Sequence, residues 1–183
     1  MPKLLLEWVE QTYGARATFR IKHTAGFSDD RKFRITESCA DAEWQALLSA
    51  TLQETRCTPE ELDGAFAKYF IADARQRFPM WFQMSKTARK FLERQPAVHN
   101  NFASGVQDGE SRRLIVDKFR IETLDRELVT HYCSPNLLCH LYECLAYEVL
   151  RVYGETAEVE HTACMKKGDP ECEIHIRWPG DSQ

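Results

Sequence analysis

Tyr132-Cys-Ser-Pro-Asn-Leu-Leu-Cys139 and, one helical span later, Glu158-Val-Glu-His-Thr-Ala-Cys-Met-Lys-Lys-Gly-Asp-Pro-Glu-Cys172 are the stretches on which the fold turns. The second reads as a strand, a turn and a returning strand. Glu158 to Cys164 is strand-like, and Met165 to Pro170 carries turn chemistry in Gly168 and Pro170. Cys172 to Trp178 then alternates polar and apolar residues, as a strand with one buried face does. Between the two stretches, Leu137, Leu138, Leu141, Leu145, Val149 and Tyr153 recur at helical spacing, with Pro135 as the expected start and Gly154 as the stop. The hairpin brings His161, Cys164 and Cys172 to one mouth, and Cys139, expected one turn into the helix, closes the group. Three thiolates and one imidazole complete the tetrahedron that zinc prefers. Buried free cysteines also pack simply as small apolar groups, so ligand type and spacing carry the zinc reading.

Upstream, Leu114–Glu122 and Glu127–Cys133 are strand-like, with a turn near Asp125. Everything before them reads as helix and loop. Leu4, Leu5, Trp8, Val9 and Thr12 form an apolar stripe that stops at Gly14, and residues 16–25 favour helix. Ser28 to Arg34 is a loop, and Asp41 is the expected N-cap of a helix through Trp44, Leu47, Thr51 and Leu52. Thr58-Pro-Glu-Glu61 is a capping box with proline at the first helical position. Its helix carries Leu62, Phe66, Tyr69 and Phe70 to Phe78-Pro79, where it must end. Met80-Trp-Phe82 is a short aromatic segment. Ser85 is expected to open a helix to about Arg94, Pro96 to open the helix bearing His99, and residues 105–109 to form a loop. The order is a helical half, then strand–strand–helix–strand–strand: an α+β fold with a helix packed on an antiparallel sheet. The expected organisation is a single domain over 1–183, with a helical lobe at 1–109 and a sheet lobe at 110–183 that holds the zinc site.

Composition narrows the function. The 28 acidic and 24 basic residues are mixed along the chain and leave no basic stripe for nucleic acid. No segment is long and apolar enough to span a bilayer, and the N-terminal apolar run is too short for a signal peptide. Seven cysteines without an export signal point to reduced thiols in the cytoplasm, used for metal or redox chemistry. No Ser–His–Asp grouping, phosphate loop or paired acids mark an enzyme.

Taken together, these residues resemble the haem-nitric oxide/oxygen-binding (H-NOX) family, the gas-sensor domains of bacteria and of animal guanylate cyclases. Phe78-Pro-Met-Trp-Phe82, Phe91-Leu92 and Ala97-Val-His99 resemble the family's approach to its proximal histidine. Tyr132-Cys-Ser134-Pro-Asn136 matches its Tyr-x-Ser-x-Arg motif at the first two defining positions. The ending with Cys139, His161, Cys164 and Cys172 resembles the zinc site of some bacterial members, and is similar to that of the related 4-vinyl reductase type. The resemblance implies a haem b whose iron is held by His99, with Tyr132, Ser134 and Asn136 facing the propionates. It places Leu141 where oxygen-binding members carry a tyrosine, and leucine has no hydrogen bond to donate. The implied function is a cytoplasmic nitric oxide sensor that regulates a signalling histidine kinase or cyclic-dinucleotide enzyme in trans. Asn136 stands where the family has arginine, and losing one charge-assisted bond removes roughly 1.5–3 kcal/mol of haem affinity. Arg112 or Arg113 is the expected compensating cation. The alternative is a haem-free module, either a zinc–thiolate redox sensor or a binder of apolar small molecules.

Overall fold

The computed structural model describes residues 1–35, 39–104 and 118–180. Among the described residues seven helices come first: α1 (Pro2–Tyr13), α2 (Ala15–Thr24), α3 (Asp41–Thr55), α4 (Pro59–Arg77), α5 (Pro79–Gln83), α6 (Ala88–Glu93) and α7 (Gln95–Ser104). Then follow β1 (Phe119–Thr123), β2 (Glu127–Tyr132), α8 (Cys139–Tyr153), β3 (Glu158–Ala163), a 3-10 turn (Met165–Lys167) and β4 (Cys172–Arg177). This is the α+β order read from the sequence.

The capping box forms as its residues dictate. Thr58 Oγ1 accepts the Glu61 N–H at 3.2 Å and Glu61 Oε2 accepts the Thr58 N–H at 2.8 Å. Three expected starts move. Asp41 is not the cap of α3 but its first helical residue, behind Ala40, because its carboxylate is engaged across the molecule instead. Thr87, not Ser85, caps α6, and its hydroxyl accepts the Lys90 N–H. Ser85 is buried and accepts a bond from Arg94. Pro135 does not open a helix: Leu137 takes a left-handed φ of 51°, and α8 begins only at Cys139. Cys139 therefore sits at the first position of α8, not one turn inside it. The expected loop at 105–109 lies outside the described residues.

The four strands form one antiparallel sheet in the order β1-β2-β4-β3. Its inner face is set by the period of two. Cys172, Ile174 and Ile176 of β4 are fully buried, and Leu128, Thr130 and Tyr132 of β2 lie beside them in register. Ala146, Val149 and Leu150 of α8 are buried in the same half. The opposite face of α8 presents Leu141 to the helical core of Leu4, Leu5, Trp8, Val9, Leu47 and Phe66. Helix α8 is thus shared by both halves, and its stop is Gly154 with a left-handed φ of 66°. The two ends of this helix and sheet position everything that follows.

Candidate metal and cofactor sites

The first site is built where α8 starts and the β3–β4 hairpin closes. Cys139 opens α8, His161 lies on β3, Cys164 follows its end and Cys172 opens β4. Their ligand atoms all lie within 4.8 Å of one another, and the Cys139 and Cys164 sulfurs are 3.9 Å apart. A zinc tetrahedron with bonds of about 2.3 Å needs sulfurs about 3.8 Å apart. The turn is pinned from within: the Cys164 N–H donates to Asp169 Oδ2 at 2.7 Å, and the Met165 N–H donates to the Cys172 sulfur at 3.3 Å. His161 Nδ1 meets Glu143 Oε1 at 2.6 Å, while Nε2 is buried without a partner. A carboxylate on one ring nitrogen fixes the tautomer that frees the other for a metal. Burial, then the bond and charge of Cys172, push the Cys139 thiol to about 12. Burial likewise raises Cys172. A cation is what would relieve both. The sequence reading missed Glu143. Its signal was there, one turn after Cys139 on the face of α8 that meets β3.

The second site surrounds His99 on α7. The imidazole packs edge-on against Phe119 of β1, with centroids 4.7 Å apart. Phe119 in turn touches Tyr132 and Tyr142, each at 5.6 Å. Burial, then the neighbouring Lys118 charge, lower the His99 pKa to about 4. The ring is therefore neutral at pH 7, as a metal ligand must be. Tyr132 and Ser134 are buried. The Tyr132 hydroxyl accepts the Leu138 N–H at 3.2 Å, and Ser134 Oγ accepts the Asn136 N–H at 3.3 Å. Asn136 Nδ2 donates to Asp41 Oδ1 at 2.6 Å, and its own Oδ1 is buried without a partner. Lys118 Nζ donates to the same Asp41 oxygen at 3.0 Å. Gln45, also on α3, donates to the Pro135 carbonyl at 3.0 Å. Helix α3 is thus bonded to the motif loop at two points. Neither Asp41 nor Lys118 was assigned to this site from the sequence, because both stand far from the motif in the chain. Arg112 and Arg113 lie outside the described residues.

Leu141 is buried, packed on the helical core with no polar group to offer. Beside it on α8, the Tyr142 hydroxyl hydrogen-bonds the Thr130 hydroxyl of β2 at 2.7 Å.

A family model described as haem-NO-binding matches residues 1–161. The chain belongs to the haem-NO-binding family. The H-NOX fold is also what solved structures return. An H-NOX protein from S. oneidensis in the Fe(II)NO state superposes with a TM-score of 0.74 at 15% identity, over 98% of this chain and 100% of that one. A point mutant of T. tengcongensis H-NOX gives 0.75 at 15% identity, over 98% and 96%. An oxygen-binding H-NOX domain related to soluble guanylate cyclases gives 0.74 at 14%, over 97% and 92%. No curated protein matches the chain. At these identities the likeness establishes the H-NOX fold, and the family match establishes membership of a haem-binding, gas-sensing family.

The donor set around His99 fits what that family holds. The imidazole reaches the motif through Phe119, whose ring also touches Tyr132, while the Asn136 amide and the Lys118 ammonium meet at Asp41. A cavity of about 140 Å³ flanks the motif loop, lined by Leu48, Leu52, Leu62, Asn136 and Leu138 among others.

A third grouping lies where α4 meets α8. Asp63 Oδ2 lies 3.0 Å from His140 Nδ1, and the Cys144 sulfur is 3.9 Å from His140 Nε2. These are the residue types of a nucleophilic triad. Burial, then the charges of Asp63, Glu143 and Glu148, push the Cys144 thiol up to about 11. An activated nucleophile needs the opposite shift.

Proposed function

We propose that this H-NOX chain is a haem-based nitric oxide sensor that acts on a separate signalling protein, with a structural zinc ion in its sheet half. The observation that carries the reading is the haem-NO-binding family match over residues 1–161, with His99 packed edge-on against Phe119. His99 would hold the iron of haem b through one ring nitrogen. Tyr132, Ser134 and Asn136 would face its carboxylates. When bound, haem supplies an iron with an open face for a diatomic gas. Leu141 offers that face no hydrogen bond, so the site favours nitric oxide over stable oxygen binding. Release of the His99 imidazole would free α7 to move against β1, turning a local bond into a shift of an element. The partner is a signalling histidine kinase or cyclic-dinucleotide enzyme. The location is cytoplasmic, which the seven free cysteines support. Among the described residues no helix is long and apolar enough to cross a membrane.

Zinc would bind through Cys139, Cys164, Cys172 and His161, oriented by Glu143. The unpartnered Nε2 of His161 supports this reading. A second functional reading has its own support: Asp41 occupies Asn136, and the ring of Phe119 lies on His99. In that reading the chain works without haem, as a zinc–thiolate redox sensor or a binder of apolar small molecules.

One experiment separates them. Haem-supplied protein is reduced and scanned for a Soret band before and after nitric oxide or oxygen, alongside metal analysis. A band that moves with nitric oxide and not with oxygen, with one zinc per chain, is expected. Zinc without any Soret band would favour the second reading.

A further inference from the structure

The cation that the motif lacks at Asn136 is present from another direction. Lys118 immediately precedes β1, and its carbonyl accepts the Cys133 N–H at 3.2 Å, which fixes its backbone beside the middle of the motif. Its ammonium is half-buried and meets Asp41 Oδ1 at 3.0 Å, on the same oxygen that takes the Asn136 amide at 2.6 Å. Two donors, one in the motif loop and one at the start of β1, therefore converge on one carboxylate oxygen. The next residue, Phe119, is the ring that touches both His99 and Tyr132.

We propose that Lys118 receives a carboxylate of the bound porphyrin in place of the missing arginine, and that the Asp41 carboxylate holds that position until it is displaced. This rests on the haem reading above. A carboxylate taken out of water needs a charged partner, and neutral hydroxyls and amides do not supply one. Lys118 does. It adjoins Phe119 in the chain, the ring that lies 4.7 Å from the His99 imidazole. The exchange is one carboxylate for another on the same donors, so charge is conserved. Displaced Asp41 remains in the first turn of α3, where a helix N-terminus favours a negative charge. Loading the porphyrin thus undoes the Asp41 bonds that tie α3 to the motif loop.

The test is titration of apo-protein with haem and with haem dimethyl ester, whose carboxylates are blocked. It compares wild type, Lys118→Met, Lys118→Arg and Asp41→Asn, with the thermal midpoint of each apo-protein recorded. Lys118→Met should weaken haem binding roughly tenfold to a hundredfold, the factor expected for one bond to a charged group. Lys118→Arg should bind as wild type does. Asp41→Asn should bind haem several-fold more tightly, roughly in line with losing a competing ion pair, while its apo midpoint falls. For the dimethyl ester the four proteins should bind alike. Haem uptake that needs His99 but is unchanged in Lys118→Met would overturn this inference and leave the sensor reading intact. Equal discrimination against the ester would overturn it too. A wild type that takes up no haem would overturn the sensor reading itself, and this inference with it.

Discussion

Two residues carry more than their positions in the chain suggest. Glu143 sits on α8 away from any motif, yet its carboxylate holds His161 Nδ1 at 2.6 Å and so decides which ring nitrogen faces the cysteines. Outer partners of this kind change metal affinity by roughly 10- to 100-fold when removed. Glu143→Ala should therefore weaken zinc binding by about that factor in a chelator competition, with the sheet still folded by circular dichroism. An unchanged affinity would mean His161 is oriented without Glu143. Asp41 is the other. As a sequence letter it reads as a helix cap, but in the structure it bonds Asn136 and Lys118 across 95 and 77 residues. Local propensity identified the helix and not the partner, because long-range pairing leaves no local pattern. The grouping of Cys139, His161, Cys164 and Cys172 was legible for the opposite reason. Their chemistry is restricted to few residue types, and the elements bearing them have clear periods.

At the scale of elements, the β3–β4 hairpin and the outer face of the sheet behave differently. The hairpin closes around sulfur, with Cys172 and Cys164 buried at its mouth. A metal bound only by the folded hairpin adds its binding energy to folding. Chelation of the metal-loaded protein should lower the thermal midpoint, and Cys172→Ala should show the lower midpoint with or without chelator. A midpoint indifferent to chelation would remove the metal from the account. The outer face instead carries His175 between Glu127 and Glu173, at 2.6 and 2.7 Å. Burial lowers the His175 pKa, but the bonds to the two carboxylates outweigh it and the net shift is upward. A raised pKa means the folded state holds the proton better. That stabilisation is complete below about pH 6.5, the unfolded value, and fades as pH rises through the folded value. The same bonds lower Glu127 and Glu173, whose contribution fades only as pH falls below about 4.5. Urea unfolding should thus show a stability gap between wild type and His175→Gln that is larger at pH 5.5 than at pH 8, by up to about 1 kcal/mol. A gap that does not change with pH would contradict the pairing.

Across the whole molecule, α8 is the shared part. One of its faces packs Leu141 on the helical core, another packs Ala146 and Val149 over the sheet, and its first residue enters the metal cluster. Its extent was legible from spacing, but its start was not. The sequence around Pro135 suggests a helix four residues early, and the left-handed turn at Leu137 is fixed by contacts no local rule encodes. Lys118, proposed above in the arginine's place, likewise comes from outside the motif, and its present partner Asp41 comes from α3. The halves work as one device through His99 if it holds haem iron, and that has a direct measurement. Ferrous, haem-loaded wild type and His99→Gly are compared by absorption, without and with added imidazole. The wild type should give a five-coordinate ferrous spectrum, His99→Gly should lose it, and imidazole should restore it. An unchanged spectrum in His99→Gly would place the iron elsewhere and contradict the account.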